Sequence, residues 1–267
     1  MTAAARTWSV FTKPWRDLPI ADLAELVARM GFNAIEFPLR PGFQVDLDRL
    51  GPSMGEFAGT MADHGISIAS VASTTTPAIF EACATNDIPI IRIMINISAD
   101  GYLATGDLVR KHLDELLPLT QEYGVKIGVQ PHYDDYIADS SELATLLTDY
   151  DPAAITAIWD AAHEGLARKH PSNGLALLWD RLSMVNFKNA CYQHTEPATP
   201  GAPPWEIEFV EATEGLCSWA EAAQYLVEHN YIGPICLPAE YTDESDLEAK
   251  VSRDLSYIRE LVEGPAA

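Results

Sequence analysis

The chain has 267 residues, 48% of them hydrophobic and 21% charged, enough for one sizeable core near the upper limit of single-domain size. Its formal net charge of −22 repels polyanions at long range, which sets aside nucleic acid and anionic membrane surfaces as partners. Four dispersed cysteines (Cys83, Cys191, Cys217, Cys236) form neither a zinc motif nor a disulfide framework. MTAAARTWSV carries no apolar leader, and no apolar run nears the roughly 18 residues of a membrane span, so the expected location is the cytoplasm.

The first β-rich run, 7-TWSVFT-12, leads into 20-IADLAELVARMGF-32, where apolar residues recur at helical spacing and Gly31 stands where the helix should stop. The run 34-AIEFPL-39 precedes 48-DRLGPSMGEFAGTMADHG-65, and 66-ISIASV-71 precedes 76-TPAIFEACATND-87, the least regular helical pattern. Next come 89-PIIRIMI-95 with 107-DLVRKHLDELLPLTQEYG-124, and 125-VKIGVQ-130 with 139-DSSELATLLTDY-150. The run 154-AITAIWD-160 is followed by the pattern 173-NGLALLWDRL-182. After 183-SMVNFK-188 the Pro-rich 194-HTEPATPGAPPWEIEF-209 reads as a long βα loop before the helix 217-CSWAEAAQYLVEHN-230. The run 232-IGPICLPAE-240 and the helix 244-ESDLEAKVSRDLSYIRELVEG-264 close the chain. Eight alternations, three of them punctuated helix–Gly–strand, predict a single (β/α)8 TIM barrel over residues 1–267, with a doubly wound open sheet as the alternative.

In a barrel of this kind chemistry gathers where the strands end. The ends here carry Thr12 and Lys13; Glu36 and Arg40; Ser73 to Thr76; Asn96; Gln130 and His132; Asp160 and His163; Asn186 and Lys188; Glu240 and Tyr241. Period-two geometry puts Gln130 with His132, Asn186 with Lys188, and Glu36 with Arg40 on shared faces. Each has an ordinary reading too. Asp160 alone would suit a helix N-cap, and His163 alone a surface histidine. Polar groups on so many consecutive strand ends argue for a site. The aromatic residues Trp15, Phe43, Tyr133, Tyr136, Trp159 and Trp205 are candidate pocket walls, with Trp15 and Trp159 assigned to substrate contact.

The pieces IEFPLRPG, GVKIGVQPH, WDAAHEG, MVNFKNA and 214-EGLCSWAEAAQYLVEHNYIGPICLPAEY-241, in this order and spacing, resemble the xylose-isomerase-like TIM-barrel family of sugar isomerases and epimerases. The resemblance implies a divalent cation, Mn²⁺ or Mg²⁺, held at the positions of Gln130, Asp160, Asn186 and Glu240. Two of these match the family's carboxylates. Gln130 and Asn186 replace its glutamate and histidine. His163 matches the histidine of the family's D-x-x-H.

The implied function is a metal-assisted isomerase or epimerase acting on a keto-sugar or related polyol carbonyl compound by proton transfer beside the carbonyl. Because an amide exchanges no proton, Gln130 disfavours a symmetric pair of glutamates, and His132 with Glu240 becomes the expected proton-handling pair. His163 stands in reserve; Lys188 or Arg40 would hold an oxyanion or an acidic substrate group, and Glu36 joins Arg40 among the expected substrate-binding residues. The alternatives are a lyase or dehydratase using the same enolisation, and a degenerate barrel that binds a ligand without turnover. The expected partner is a small carbohydrate-like molecule, and association into a homo-oligomer is compatible with the sequence.

Overall fold

Short strands that are apolar on both faces suit a parallel sheet covered by helices, and eight of them close here into a barrel. The computed structural model describes residues 6–264 apart from 198, 200 and 202. The strands are β1 (Trp8–Phe11), β2 (Ala34–Pro38), β3 (Ser67–Ala72), β4 (Ile90–Ile93), β5 (Lys126–Val129), β6 (Ile155–Asp160), β7 (Leu182–Asn186), β8 (Asn189–His194), β9 (Trp205–Val210) and β10 (Ile235–Leu237). The helices are α1 (Ile20–Arg29), α2 (Leu50–Asp63), α3 (Pro77–Thr85), α4 (Tyr102–Tyr123), α5 (Ser140–Leu147), α6 (Ala161–Leu166), α7 (Pro171–Leu178), α8 (Trp219–Glu228) and α9 (Leu247–Glu263). The barrel runs β1-β10-β7-β6-β5-β4-β3-β2 with every pair parallel, so the expected (β/α)8 architecture is present and the open sheet is not. The punctuating glycines Gly31, Gly65 and Gly124 all have left-handed φ, a region where a Cβ is penalised.

Alternation along the strands sorts the side chains into two layers. Outward-facing residues such as Ile35, Ile91, Val129 and Trp159 pack under the helices in the main core, while Phe11, Ala72, Ile90, Ile158, Met184 and Cys236 fill the barrel axis. Gly128 makes that inner layer possible: a Cβ there would lie 2.7 Å from Ile158 Cδ1 and 2.9 Å from Ile90 Cγ2. Register then aligns the polar ends above this plug, with Asp160 beside Asn186, Phe11 beside Glu36, and Ala72 beside Arg92.

Three features depart from the expected layout. The pattern at 107–124 begins earlier, at Tyr102, and an additional short helix, α6, follows β6 directly. The Pro-rich segment is not a plain loop, because β8 and β9 pair antiparallel across it, from Asn189 opposite Val210 to His194 opposite Trp205. The physical reason lies in 205-WEIEFV-210, which alternates apolar and acidic residues: Ile207 and Phe209 turn inward against Ala162, Leu166 and Ala190 on α6 and β8.

Candidate active site at the mouth of the barrel

The inward row continues past the apolar plug as Lys13, Glu36, Arg92, Gln130, His132, Asn186, Lys188 and Glu240, which line a pit of about 70 Å³ at the C-terminal ends of the strands. The strand-end residues read from the sequence are therefore gathered at one face.

At the floor, Asp160 is fully buried and both its oxygens are occupied. Oδ1 accepts from the backbone N–H groups of Ala162 (3.1 Å) and His163 (3.3 Å), making Asp160 the N-cap of α6. Oδ2 accepts from the amides of Gln130 (2.6 Å) and Asn186 (3.5 Å). Burial pushes this carboxyl's pKa up, against the opposing pull of the nearby Lys188 ammonium.

Gln130 is fixed in one orientation by its two neighbours. Its Oε1 accepts from Arg92 Nη1, and its NH2 must therefore face Asp160. Arg92 also donates from Nε to Glu36 Oε1 at 2.5 Å, with Ser70 Oγ on the same oxygen at 3.0 Å, and its guanidinium lies 4.8 Å from the centre of the Phe11 ring. Glu36, expected to bind substrate, pairs here with Arg92 and Ser70, and among the described residues its other oxygen is buried without a partner. The strand-end reading passes over Arg92, which sits mid-strand. Its signal was a lone arginine in the apolar run PIIRIMI, a charge that burial permits only beside a partner.

Lys188 Nζ lies 3.0 Å from Glu240 Oε2 and 4.0 Å from Asp160 Oδ2, between the two carboxylates that the family resemblance assigns to a cation. Phe209, delivered by the hairpin, covers it with the ammonium 4.8 Å from its ring centre. Burial works against this charge, but Asp160 and Glu240 outweigh it and raise the lysine's pKa. The other oxygen of Glu240 accepts from Lys13 Nζ at 2.7 Å. Against the effect of burial, the ammonium groups of Lys188 and Lys13 hold the Glu240 carboxyl far below the usual carboxylate range. Both oxygens of Glu240 are thus engaged by ammonium groups, one by Lys13 and one by Lys188.

His132 sits among the rings of Tyr133, Tyr136 and His163, with centroids 4.7, 4.7 and 4.5 Å away. Nδ1 meets the Tyr133 carbonyl at 3.0 Å; a carbonyl only accepts, so Nδ1 carries the proton and Nε2 keeps its lone pair. Burial lowers the pKa of this imidazole and favours the neutral form. His163 is different: it is buried to 1% exposure, its Nδ1 accepts from the Tyr133 N–H, and burial holds its pKa well down. It supports the turn that carries His132 and does not line the pit.

The remaining candidates divide. Arg40 stands at the rim, donating from Nε to the Ala72 carbonyl at 3.4 Å and, among the described residues, forming no ion pair. It separates the pit from a cavity of about 580 Å³ lined by Ser73, Thr74, Thr75 and Asn96. On the far side His132 and Glu240 border a cavity of about 540 Å³ walled by Tyr133, Phe209 and Tyr241. Trp159 points outward into the core against Phe187, and Trp15 and Phe43 also pack with the core, so neither Trp15 nor Trp159 lines the pit. Trp205 lies against His194 at the outer end of the hairpin.

A model of the "Xylose isomerase-like TIM barrel" family matches residues 24–261. The chain belongs to this family. No curated protein matches it by sequence. Among solved structures, it resembles a xylose isomerase-like TIM barrel protein from Mycobacterium smegmatis in complex with magnesium, at 18% identity and TM-score 0.70 over 98% of both chains. D-psicose 3-epimerase from Clostridium cellulolyticum H10, solved with D-tagatose, is 12% identical with TM-score 0.71, covering 96% of this chain and 99% of that one. A probable 3-DHS dehydratase from Bacillus anthracis is 14% identical with TM-score 0.68, covering 96% and 98%. At these identities the likeness is one of fold.

The residues present do not fit the divalent cation that family resemblance implies. Both oxygens of Asp160 and both of Glu240 already accept hydrogen bonds, and Gln130 turns its NH2, a donor, toward the site. Among the described residues, Asn186 Oδ1 is the one side-chain atom of the four expected ligands that is buried without a partner. Among the described residues, no three His, Cys, Asp or Glu side chains are placed to share a metal.

Proposed function

We propose that this chain is an enzyme that moves a proton beside the carbonyl of a small hydroxy-carbonyl compound, an isomerase of the sugar type. The observation that carries the reading is the His132–Lys188 pair: a neutral imidazole with a free Nε2 lone pair and a buried ammonium line the same small pit. In this reading His132 Nε2 takes the proton from the carbon next to the carbonyl. The oxygen of the resulting enediolate is stabilised by the Lys188 ammonium. The hydroxyl proton of the enediolate passes to that oxygen, and the imidazolium returns its proton to the former carbonyl carbon, so the carbonyl moves to the adjacent carbon.

With both oxygens of Glu240 paired to the ammonium groups of Lys13 and Lys188, His132 is the one free base we assign to the pit, and one base serves a transfer on a single face of the substrate. That favours isomerisation over a two-base epimerisation, and it gives a second reading, β-elimination of a leaving group after the same enolisation. The pit holds only the reacting group, so the rest of the substrate extends into the flanking cavities. An acidic group on Arg40, the rim guanidinium without an ion pair, fits this arrangement.

The test is solvent deuterium incorporation into small ketoses and their carboxylated counterparts. The parent should exchange a carbon-bound proton, and His132→Gln should lower the rate by about 100-fold or more, the scale for a lost positioned base. Exchange at the parent rate in a folded His132→Gln protein would refute the assignment. Product analysis separates isomerisation from elimination.

A further inference from the structure

The strongest departure from expectation is where Lys188 sits. Its ammonium lies between Asp160 and Glu240, 4.0 and 3.0 Å away, with the Phe209 ring closing one side. We propose that Lys188 is itself the cation of this site and polarises the substrate carbonyl with no bound divalent metal. The proposal rests on the reading given above and deepens it by naming the electrophile.

Three arrangements carry it. Arg92 fixes the Gln130 amide, so the side chain in the glutamate's place presents a donor where a cation needs an acceptor. Asp160 spends Oδ1 on capping α6 and Oδ2 on two amides, so a metal would have to displace either the helix cap or the amides of Gln130 and Asn186. Glu240 is bridged between Lys13 and Lys188, so an incoming divalent ion would meet two ammonium groups around the one remaining carboxylate. Positive charge within a few ångströms repels a divalent ion strongly in a partly buried site. The two amide replacements at the mapped positions belong to the same pattern. With a monovalent ammonium as the resident charge, fewer carboxylates are needed to balance it than a divalent ion requires.

The test uses the full chain, treated with chelator and dialysed, titrated with Mn²⁺ while the free ion is followed by its paramagnetic resonance. The expected result is that the parent takes up no Mn²⁺ that depends on Asp160, the control being Asp160→Asn. Lys188→Met should gain Mn²⁺ uptake at least roughly tenfold tighter than the upper limit the titration sets for the parent, the effect of removing a close like charge. Uptake by the parent that vanishes in Asp160→Asn overturns the proposal, as does a folded Lys188→Met protein no better at binding than the parent. The parent titration decides the question even where the lysine variant does not fold. Deuterium exchange distinguishes this proposal from the reading beneath it. Exchange lost on chelation and restored by Mn²⁺ overturns the metal-free site while leaving proton transfer standing. Exchange absent under every condition refutes proton transfer, and the titration still decides which cation the pit holds.

Discussion

Arg92 never reaches a rim, yet it orders the floor of the site. Buried to 6% exposure, it is held by Glu36 on one side and Gln130 on the other, and through Gln130 it dictates which atoms face Asp160. Removing one partner of such a pair strands the other charge in a low-dielectric interior. Arg92→Met should therefore destabilise the fold by about 3–5 kcal/mol, and Arg92→Met with Glu36→Gln should recover much of that loss. Urea denaturation of the two variants and the parent checks it; equal losses in the single and double variants would mean that the pair is not coupled. Gln130, Asp160, Lys188 and Glu240 were legible in the sequence because strand alternation places them at one end on one face. Roles were harder to read. Glu240 was expected to handle protons, and the structure pairs it with Lys13, 227 residues away in sequence, a contact no local pattern announces.

Elements were readable where the period was long and missed where it was short. The long helices and buried strands were recovered, but α6 has six residues, too few for an amphipathic period, and its start is announced only by the Asp160 cap. The hairpin was hidden by its prolines, although 205-WEIEFV-210 carries a clean two-residue alternation. Where α5, α6 and α7 meet, Glu164 is buried, accepting from Ser140 Oγ at 2.5 Å over Gly174, where any Cβ would collide with its carboxyl. Burial raises its pKa from 4.5 to about 7, so the folded protein binds this proton more tightly than the unfolded chain does. The stabilising effect is full below pH 4.5 and is lost as pH rises toward 7, a change of roughly 3 kcal/mol from this group. Glu164→Gln should remove that slope, so stability measured between those pH values should fall less steeply than in the parent. An unchanged slope would place the titration elsewhere.

At the scale of the whole molecule, eight strands of three to six residues close a barrel whose outer layer is apolar and whose mouth is ionic. No described helix is long and apolar enough to cross a membrane. The charge of the mouth runs against that of the molecule. Lys13, Arg40, Arg92 and Lys188 face Glu36, Glu240 and the underlying Asp160, four cations to three anions, while the chain as a whole carries −22. An acidic substrate thus meets two fields of opposite sign, a repulsive one on approach and an attractive one at arrival. Their ranges differ, and salt acts first on the longer. As ionic strength rises from about 0.01 to 0.15 M, the screening length shrinks from about 30 to 8 Å, fading the distant repulsion before the contact with Arg40. The encounter rate of an anionic ligand should then climb with added salt, while that of its neutral analogue stays flat, as stopped-flow mixing can measure. A rate that falls steadily with salt would show that the mouth alone steers. The cost of so acidic a surface is a slow approach in dilute buffer, and the ionic strength of a cell largely removes it.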